Sequence, residues 1–591
     1  MKNLIKPAPD PFRWRLVRLF STGTAGRPLV FGALAVALLI ALPVLAVIAT
    51  LFQPAAASMA GLGNAVLREL LATSAILASG TLAGVLVLGV STAWLVTMCR
   101  FPGREMFHWA LILPLAVPAY VVAYAYTDFL QHPGAVQTLL RDVTGWGAND
   151  YRFPNIRSPG GAVFVFSFVL YPYVYLLARA AFLEQSVCAL EASRTLGQSA
   201  WGSFWRTALP LARPSIAAGA ALALMETLAD FGTVAHFGVR TFTTAIYQSW
   251  FAMGDRVLAG QLSAALLGLV ALLILSERVT RGGAGYQHPT TRYQRLPEHH
   301  LTGWRAIGAF IACAVPVMAG FALPLGILLH LNWVGGHGFL DSRYVALSFN
   351  TFTLAGIAAF LAVILALVMA YAVRLSRSPL ARAANRLAGL GYAIPGSVIA
   401  VGILIPLANM DNAVDAWMRA AFGISTGLIL TGSIAGLVFA YLVRFMAVSI
   451  NTVEASLAKI TVDMESAARS LGRSKLGTLA EVNAPLMRGS LLTAGLIVFV
   501  DVVKELPATL IMRPFNFDTL AIQAYRLASD ERLAEASTAS LMIVAIGLLP
   551  VILLSRTIMA SRPGRIRHRQ AAMHEAAMHE KDPVFVSHRA L

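Results

Sequence analysis

The chain has 591 residues, of which 57% are hydrophobic and 13% charged, and its formal net charge is +17. Soluble domains carry about 25% charged residues, so this composition excludes an ordinary soluble protein, and the long apolar runs exclude a disordered one. An outer-membrane barrel is excluded as well, because its signature is short alternating segments, not runs near twenty residues.

A basic stretch, residues 1–28, precedes an apolar run near Leu29 to Leu51. Ala55 to Ser58 faintly resembles a cleavage site, but the run is too long for a signal peptide and predicts a retained first helix. Further runs near Leu70 to Thr97, Phe107 to Phe129, Gly161 to Phe182, Pro214 to Val234 and Val257 to Leu275 complete a first set of six spans. A second set follows near Ala306 to Leu331, Ser348 to Val373, Leu387 to Leu407, Gly427 to Val448, Ser490 to Leu510 and Ser537 to Ser555. Gly80 with Gly84, and Gly432 with Gly436, have the spacing of close helix contacts.

The loops that this order places on one side hold more than two thirds of the Lys and Arg but fewer than half of the acids. Basic residues accumulate in cytoplasmic loops, so both termini are expected inside. The charge is scattered over short loops with no basic helix or aromatic stacking module, which argues against nucleic acid as a partner and leaves membrane lipid. Cys99, Cys188 and Cys313 match neither a metal knuckle nor a redox pair.

The two sets repeat each other. Leu115-Ala-Val-Pro118-Ala-Tyr-Val-Val-Ala123 recurs 277 residues later as Tyr392-Ala-Ile-Pro395-Gly-Ser-Val-Ile-Ala400. Arg194-Thr-Leu-Gly197 and Ala208-Leu-Pro210 recur 275 residues later as Arg469-Ser-Leu-Gly472 and Asn483-Ala-Pro485. An even number of spans per copy makes the copies parallel, with a path between them. The expected fold is therefore an all-α polytopic membrane protein of about twelve transmembrane helices in two parallel six-helix repeats. Its parts are an N-terminal segment (1–28), a first half (29–280), a linker (281–305) with its boundary near Thr290, a second half (306–558) and a cytoplasmic tail (559–591).

Between the fourth and fifth helices runs Leu190-Glu-Ala-Ser-Arg-Thr-Leu-Gly197, and between the tenth and eleventh Met464-Glu-Ser-Ala-Ala-Arg-Ser-Leu-Gly472. Small residues allow close approach of a partner, the glycines permit a turn, and the following prolines fix the start of the next helix. Glu-Ala-Ala, a glycine a short way on and then Leu-Pro resembles the signature loop of binding-protein-dependent ABC importer permeases. The resemblance implies a type I permease in which each loop forms a short helix docked on one of two copies of a cytoplasmic ATPase. Glu191, Ala192, Arg194, Gly197 and Pro210 would form one docking site, and Glu465, Ala467, Ala468, Arg469, Gly472 and Pro485 the other. Aligned on the glycines, Glu191 meets Ser466, so the second carboxylate comes one position early, and at 100° per residue it faces differently.

No catalytic motif is present. Gly472-Arg-Ser-Lys-Leu-Gly477-Thr478 lacks the lysine of a phosphate loop, so this chain is expected to bind no cofactor and not to be an enzyme, with ATP and Mg on the partner ATPase.

Charge in a spanning helix costs about 2.5 to 3.5 kcal/mol at its centre and needs a reason. Glu226 and Asp230 in the fifth helix recur, 275 residues on, as Asp501 and Glu505 in the eleventh. Each pair shares one helix face and is expected to line the path, with hard oxygen ligands suited to transient contact with a hard cation. Tyr171, Tyr173 or Tyr175 would add a phenol, Tyr171 and Tyr175 being the expected pair. The plain alternative is that Lys504 neutralises Asp501 or Glu505 and that the tyrosines form an interfacial belt.

Leu170-Tyr-Pro-Tyr-Val-Tyr-Leu-Leu-Ala-Arg-Ala-Ala-Phe182, Glu226-Thr-Leu-Ala-Asp-Phe-Gly-Thr-Val234 and Thr241-Phe-Thr-Thr-Ala-Ile-Tyr247 are similar to fused two-half permeases of bacterial ferric iron importers. This implies alternating-access import of Fe(III) delivered by a periplasmic ferric-iron-binding protein. Thiamine and aminoethylphosphonate permeases share the architecture, and an ion-gradient-driven secondary transporter would share the helix count. The tail duplicates Ala571-Ala-Met-His-Glu575 as Ala576-Ala-Met-His-Glu580, with His568 nearby, and reads as an extension rather than a metal site.

Overall fold

The computed structural model describes residues 27–53, 63–147, 149–184, 195, 197–198, 200–281, 299–335, 338–376 and 378–560. The docking residues Glu191, Ala192 and Arg194, together with Cys188, Thr290 and the tail histidines, lie outside them.

In the first half the helices are α1 (Arg27–Thr50), α2 (Gly63–Met98), α3 (Arg104–Ala110), α4 (Ala119–Leu130), α5 (Ala135–Thr144), α6 (Pro159–Glu184), α7 (Leu209–Ala229), α8 (Gly232–His236), α9 (Phe242–Tyr247) and α10 (Arg256–Arg281). The second half contains α11 (Trp304–Val317), α12 (Leu323–Gly335), α13 (Ser342–Ser376), α14 (Pro379–Ala388), α15 (Gly396–Phe422), α16 (Ile434–Leu457), α17 (Val462–Ser470), α18 (Lys475–Thr478), α19 (Ala484–Val503), α20 (Pro507–Met512), α21 (Leu520–Ser529) and α22 (Leu533–Ala560). Among the described residues eleven helical spans are long and apolar enough to cross a bilayer, or twelve with the bent pair Arg104–Ala116 and Ala119–Thr144. Helices are what lipid permits, since each backbone group is satisfied within its own segment.

Four of the expected spans are interrupted, at matching places in the two halves. The third turns by 91° where a 3-10 turn, Leu113–Ala116, meets Pro118, and the ninth has the same device in Gly391–Ala393 and Pro395. A residue before proline is pushed out of the helical region, and Val117 and Ile394 are both extended. The fifth span ends at Ala229, with Asp230 extended, and the eleventh at Val503; the chain then resumes as the short helices α8 and α20. Neither span is the continuous rod expected from its apolar run.

The halves exchange their first helices. α1 packs against α13, α14 and α15 of the second half, and Gly402 on α15 lets the Pro43 carbonyl approach so closely that a Cβ there would lie 2.4 Å from it. In return the bulged turn between α11 and α12 lies on the first half: Tyr126 donates to the Ala319 carbonyl at 2.7 Å, and the rings of Phe107 and Phe310 meet edge to face at 5.1 Å. Gly80, Gly84 and Gly89 seat α2 on α6; at Gly84 a Cβ would fall 2.1 Å from Ser167 Oγ. Gly432 and Gly436 do not form such a contact: Gly432 is a left-handed turn residue, and Gly436 sits against the Leu430 carbonyl at the start of α16. The linker end pairs with the first half as a two-residue parallel bridge, His299–His300 beside Cys99–Arg100.

Candidate functional site

The breaks in α7 and α19 leave their last residues facing each other across the repeat axis. A cavity of about 110 Å³ lies there, lined by Glu226 and Asp230 from the first half and by Asp501, Glu505, Lys504 and Arg444 from the second. All four acids named from the sequence thus reach one cavity. At the repeat offset the positions of Arg444 and Lys504 are held in the first half by Val169 and Ala229, so both bases belong to one copy.

Each carboxylate has local partners. Lys504 Nζ lies 2.8 Å from Asp501 Oδ1. Arg444 is buried and bridges the halves, 3.1 Å from Glu505 Oε2 and 4.0 Å from Glu226 Oε2. Asp230 accepts from the backbone N–H of Thr233 and Val234, at 2.9 and 3.2 Å, and Glu505 accepts from that of Ala508 at 3.0 Å. The offset of 275 maps Asp230 on Glu505 and Thr233 on Ala508, so one anchoring role explains the acidity of both. They hold the short helices that follow each break by satisfying amides the helix leaves open. Glu226 and Asp501 have no such duty. Among the described residues no group of three or more His, Cys, Asp or Glu side chains is arranged to hold a metal ion. The four acids therefore do not form a ligand cluster; they form a charged lining.

The tyrosines need correction. Tyr171 and Tyr175 are fully buried on the other face of α6, where Tyr175 donates to the His108 carbonyl at 3.3 Å, so neither lines the cavity. Tyr173, two residues from each, turns to the cavity beside Tyr120 and Tyr392. Arg444 lies within the tenth apolar run, where the cost of burying charge in a span marks a base as much as an acid.

In the loops before the fifth and eleventh spans, Gly197 and Gly472 both take left-handed backbones, with φ of 80° and 85°. Gly472 closes α17, where the Arg473 amide donates to the Ala468 carbonyl at 3.2 Å, a helix ending that glycine favours because it has no Cβ. Pro210 and Pro485 open α7 and α19. On α17, Ala467 and Arg469 are exposed and Ala468 is buried. Glu465 is only 8% exposed and turns inward to Arg374 and Asn483.

Residues 85–281 match the family of binding-protein-dependent transport system inner membrane components. The chain belongs to this family. It is 30% identical over 207 residues to the molybdenum transport system permease protein ModB of Escherichia coli K12, covering 33% of this chain and 87% of that one. Over 495 residues it is 26% identical to the Fe(3+)-transport system permease protein FbpB 2 of Haemophilus influenzae, 83% of this chain and 90% of that protein. The ferric transport system permease protein FbpB of Actinobacillus pleuropneumoniae is 23% identical over 436 residues, 70% and 60% of the two chains.

Proposed function

We propose that this chain is the membrane-spanning permease of an ATP-driven importer that carries ferric iron from a periplasmic binding protein to the cytoplasm by alternating access. Two copies of an ATPase, holding ATP and Mg, dock at the segments ending in Gly197 and Gly472, on the side where both termini lie. The cargo passes the cavity between α7 and α19. Glu226 and Asp501 supply its negative lining, while Asp230 and Glu505 keep the short helices in place.

The observation that carries this reading is the charge balance of the cavity, four carboxylates against two bases. Arg444 and Lys504 by themselves favour an oxyanion, but both are engaged by acids and two carboxylates remain in excess. A surplus of hard oxygen donors suits a cation. The likeness to the two ferric permease proteins over most of the chain supports the same choice, with thiamine as the cationic competitor.

The test is ATP hydrolysis and uptake by the reconstituted transporter, challenged with candidate binding proteins loaded with Fe(III), thiamine or phosphonate. Stimulation by the Fe(III) form alone is expected. Stimulation by another form instead would replace the cargo, and uptake driven by a proton or sodium gradient without the ATPase would replace the mechanism.

A further inference from the structure

The last turn of α13 grips the second docking segment at both ends. Arg374 Nε lies 2.8 Å from Glu465 Oε1 on α17, and its terminal nitrogens donate to the carbonyls of Leu457 and, at 2.5 Å, Ile460 just before α17. Tyr371, one turn away on the same face, donates to the Lys475 carbonyl just after α17 at 2.7 Å. Asn483, fully buried in the turn that leads into α19, donates to the same Glu465 oxygen at 2.9 Å. The segment is thereby tied to α13 at three points and to α19, the helix that carries Asp501.

The first half carries a different residue at each of the four positions of this clasp. The repeat offsets place Trp94 opposite Tyr371, Thr97 opposite Arg374, Leu190 opposite Glu465 and Ala208 opposite Asn483. Trp94 instead packs on Phe182 and Phe204, with ring centroids 5.5 and 4.7 Å apart. The early position of Glu465 matters here, since it turns the carboxylate toward α13 and away from exposed Ala467, about 200° round the helix.

We propose that Arg374 and Glu465 are positioning residues of the ATP-driven step: their partly buried ion pair makes α13, α17 and α19 move as one body when the ATPase moves α17. The inference rests on the docking function proposed above. An ion pair whose two members are also held by directional hydrogen bonds to Leu457, Ile460 and Asn483 resists displacement, whereas apolar surfaces slide with little directional preference. The second half is then driven through a rigid link whose charged residues the first half replaces with Thr97 and Leu190.

The experiment uses the whole transporter in proteoliposomes and compares it with Arg374→Gln, with Glu465→Gln and with the exchange Arg374→Glu/Glu465→Arg. Three readings come from the same vesicles: ATPase retained per permease, ATP hydrolysed, and iron taken up per ATP. For Arg374→Gln, retention is expected to be unchanged while iron per ATP falls about tenfold, with partial recovery in the exchange variant. Glu465→Gln keeps the side-chain volume and an oxygen for Asn483, so it carries the test should Arg374→Gln fail to fold. An unchanged ratio of iron to ATP in the single variants overturns the proposal. So does loss of ATPase retention in step with uptake, which marks a merely structural role. A wild-type permease that retains no ATPase overturns the docking function instead, and that result is read before any variant.

Discussion

The two halves keep the same backbone plan and differ in where they keep their charge. Both interrupt the third span of the set at a proline, break the fifth between its two acids, and turn the loop that precedes it on a left-handed glycine. Yet the charged groups that the first half brings to the cavity are carboxylates alone, and Trp94 sits in an aromatic cluster, while the second brings acids, both bases and, at the position of Trp94, a polar clasp. Duplication preserves what the lipid and the chain geometry demand of each copy alone. Charge is different, because burying it is costly and a base in one copy neutralises acids from both. Arg444 is the example: placed once, it meets Glu505 of its own half and Glu226 of the other.

Substitutions can break this comparison or sharpen it. The largest effect is expected at Arg444, since Arg444→Ala strands Glu505 and loses about 3 to 5 kcal/mol of stability in detergent unfolding, with uptake abolished. Adding Glu505→Gln to that variant recovers part of the stability; no recovery would mean that Arg444 acts by packing rather than by charge. Next comes Trp94→Ala, which empties an aromatic contact and costs about 3 kcal/mol at any ionic strength, because no charge is involved. A strong salt dependence there would erase the contrast between the clasps.

Replacing Glu226 with Gln and Asp501 with Asn tests the lining itself. Iron uptake per ATP is expected to fall about tenfold in each, the scale of a lost cargo contact, and Asp501→Asn also loses stability because it strips Lys504 of its ion pair. Unchanged uptake with normal ATPase coupling would remove both acids from the route. The smallest effect belongs to Tyr126→Phe, which deletes one hydrogen bond between the halves and costs about 1 kcal/mol. Its position maps on apolar Ile403 in the second half, so no matching loss is expected from a conservative change there.

Much of this was legible in the sequence, for reasons that also mark the limits. Apolar length gave the spans and unlike acids at one repeat offset picked out the cavity, because both signals follow from lipid excluding polar groups. The break at Asp230 carries no proline and left no local trace, and the anchoring of α8 by Asp230 appears only once the chain has turned. Tyr171, Tyr173 and Tyr175 alternate between two faces of α6, and a helix taken alone does not say which face meets the other half. The inward turn of Glu465 was half visible as a one-residue misalignment; its partner Arg374 lies 91 positions earlier and could be found only in space.

The exchanged first helices have a consequence for how the molecule can be taken apart. α1 is seated on α13, α14 and α15, and the α11–α12 turn on the opposite bundle, so each bundle lacks a wall until the other supplies it. Severing the polypeptide within residues 282–298 would cut the covalent connection yet leave the pieces interlocked, and they should migrate together through size exclusion in mild detergent. Each fragment made alone would present to lipid a seam shaped for protein, a ready substrate for membrane quality-control proteases.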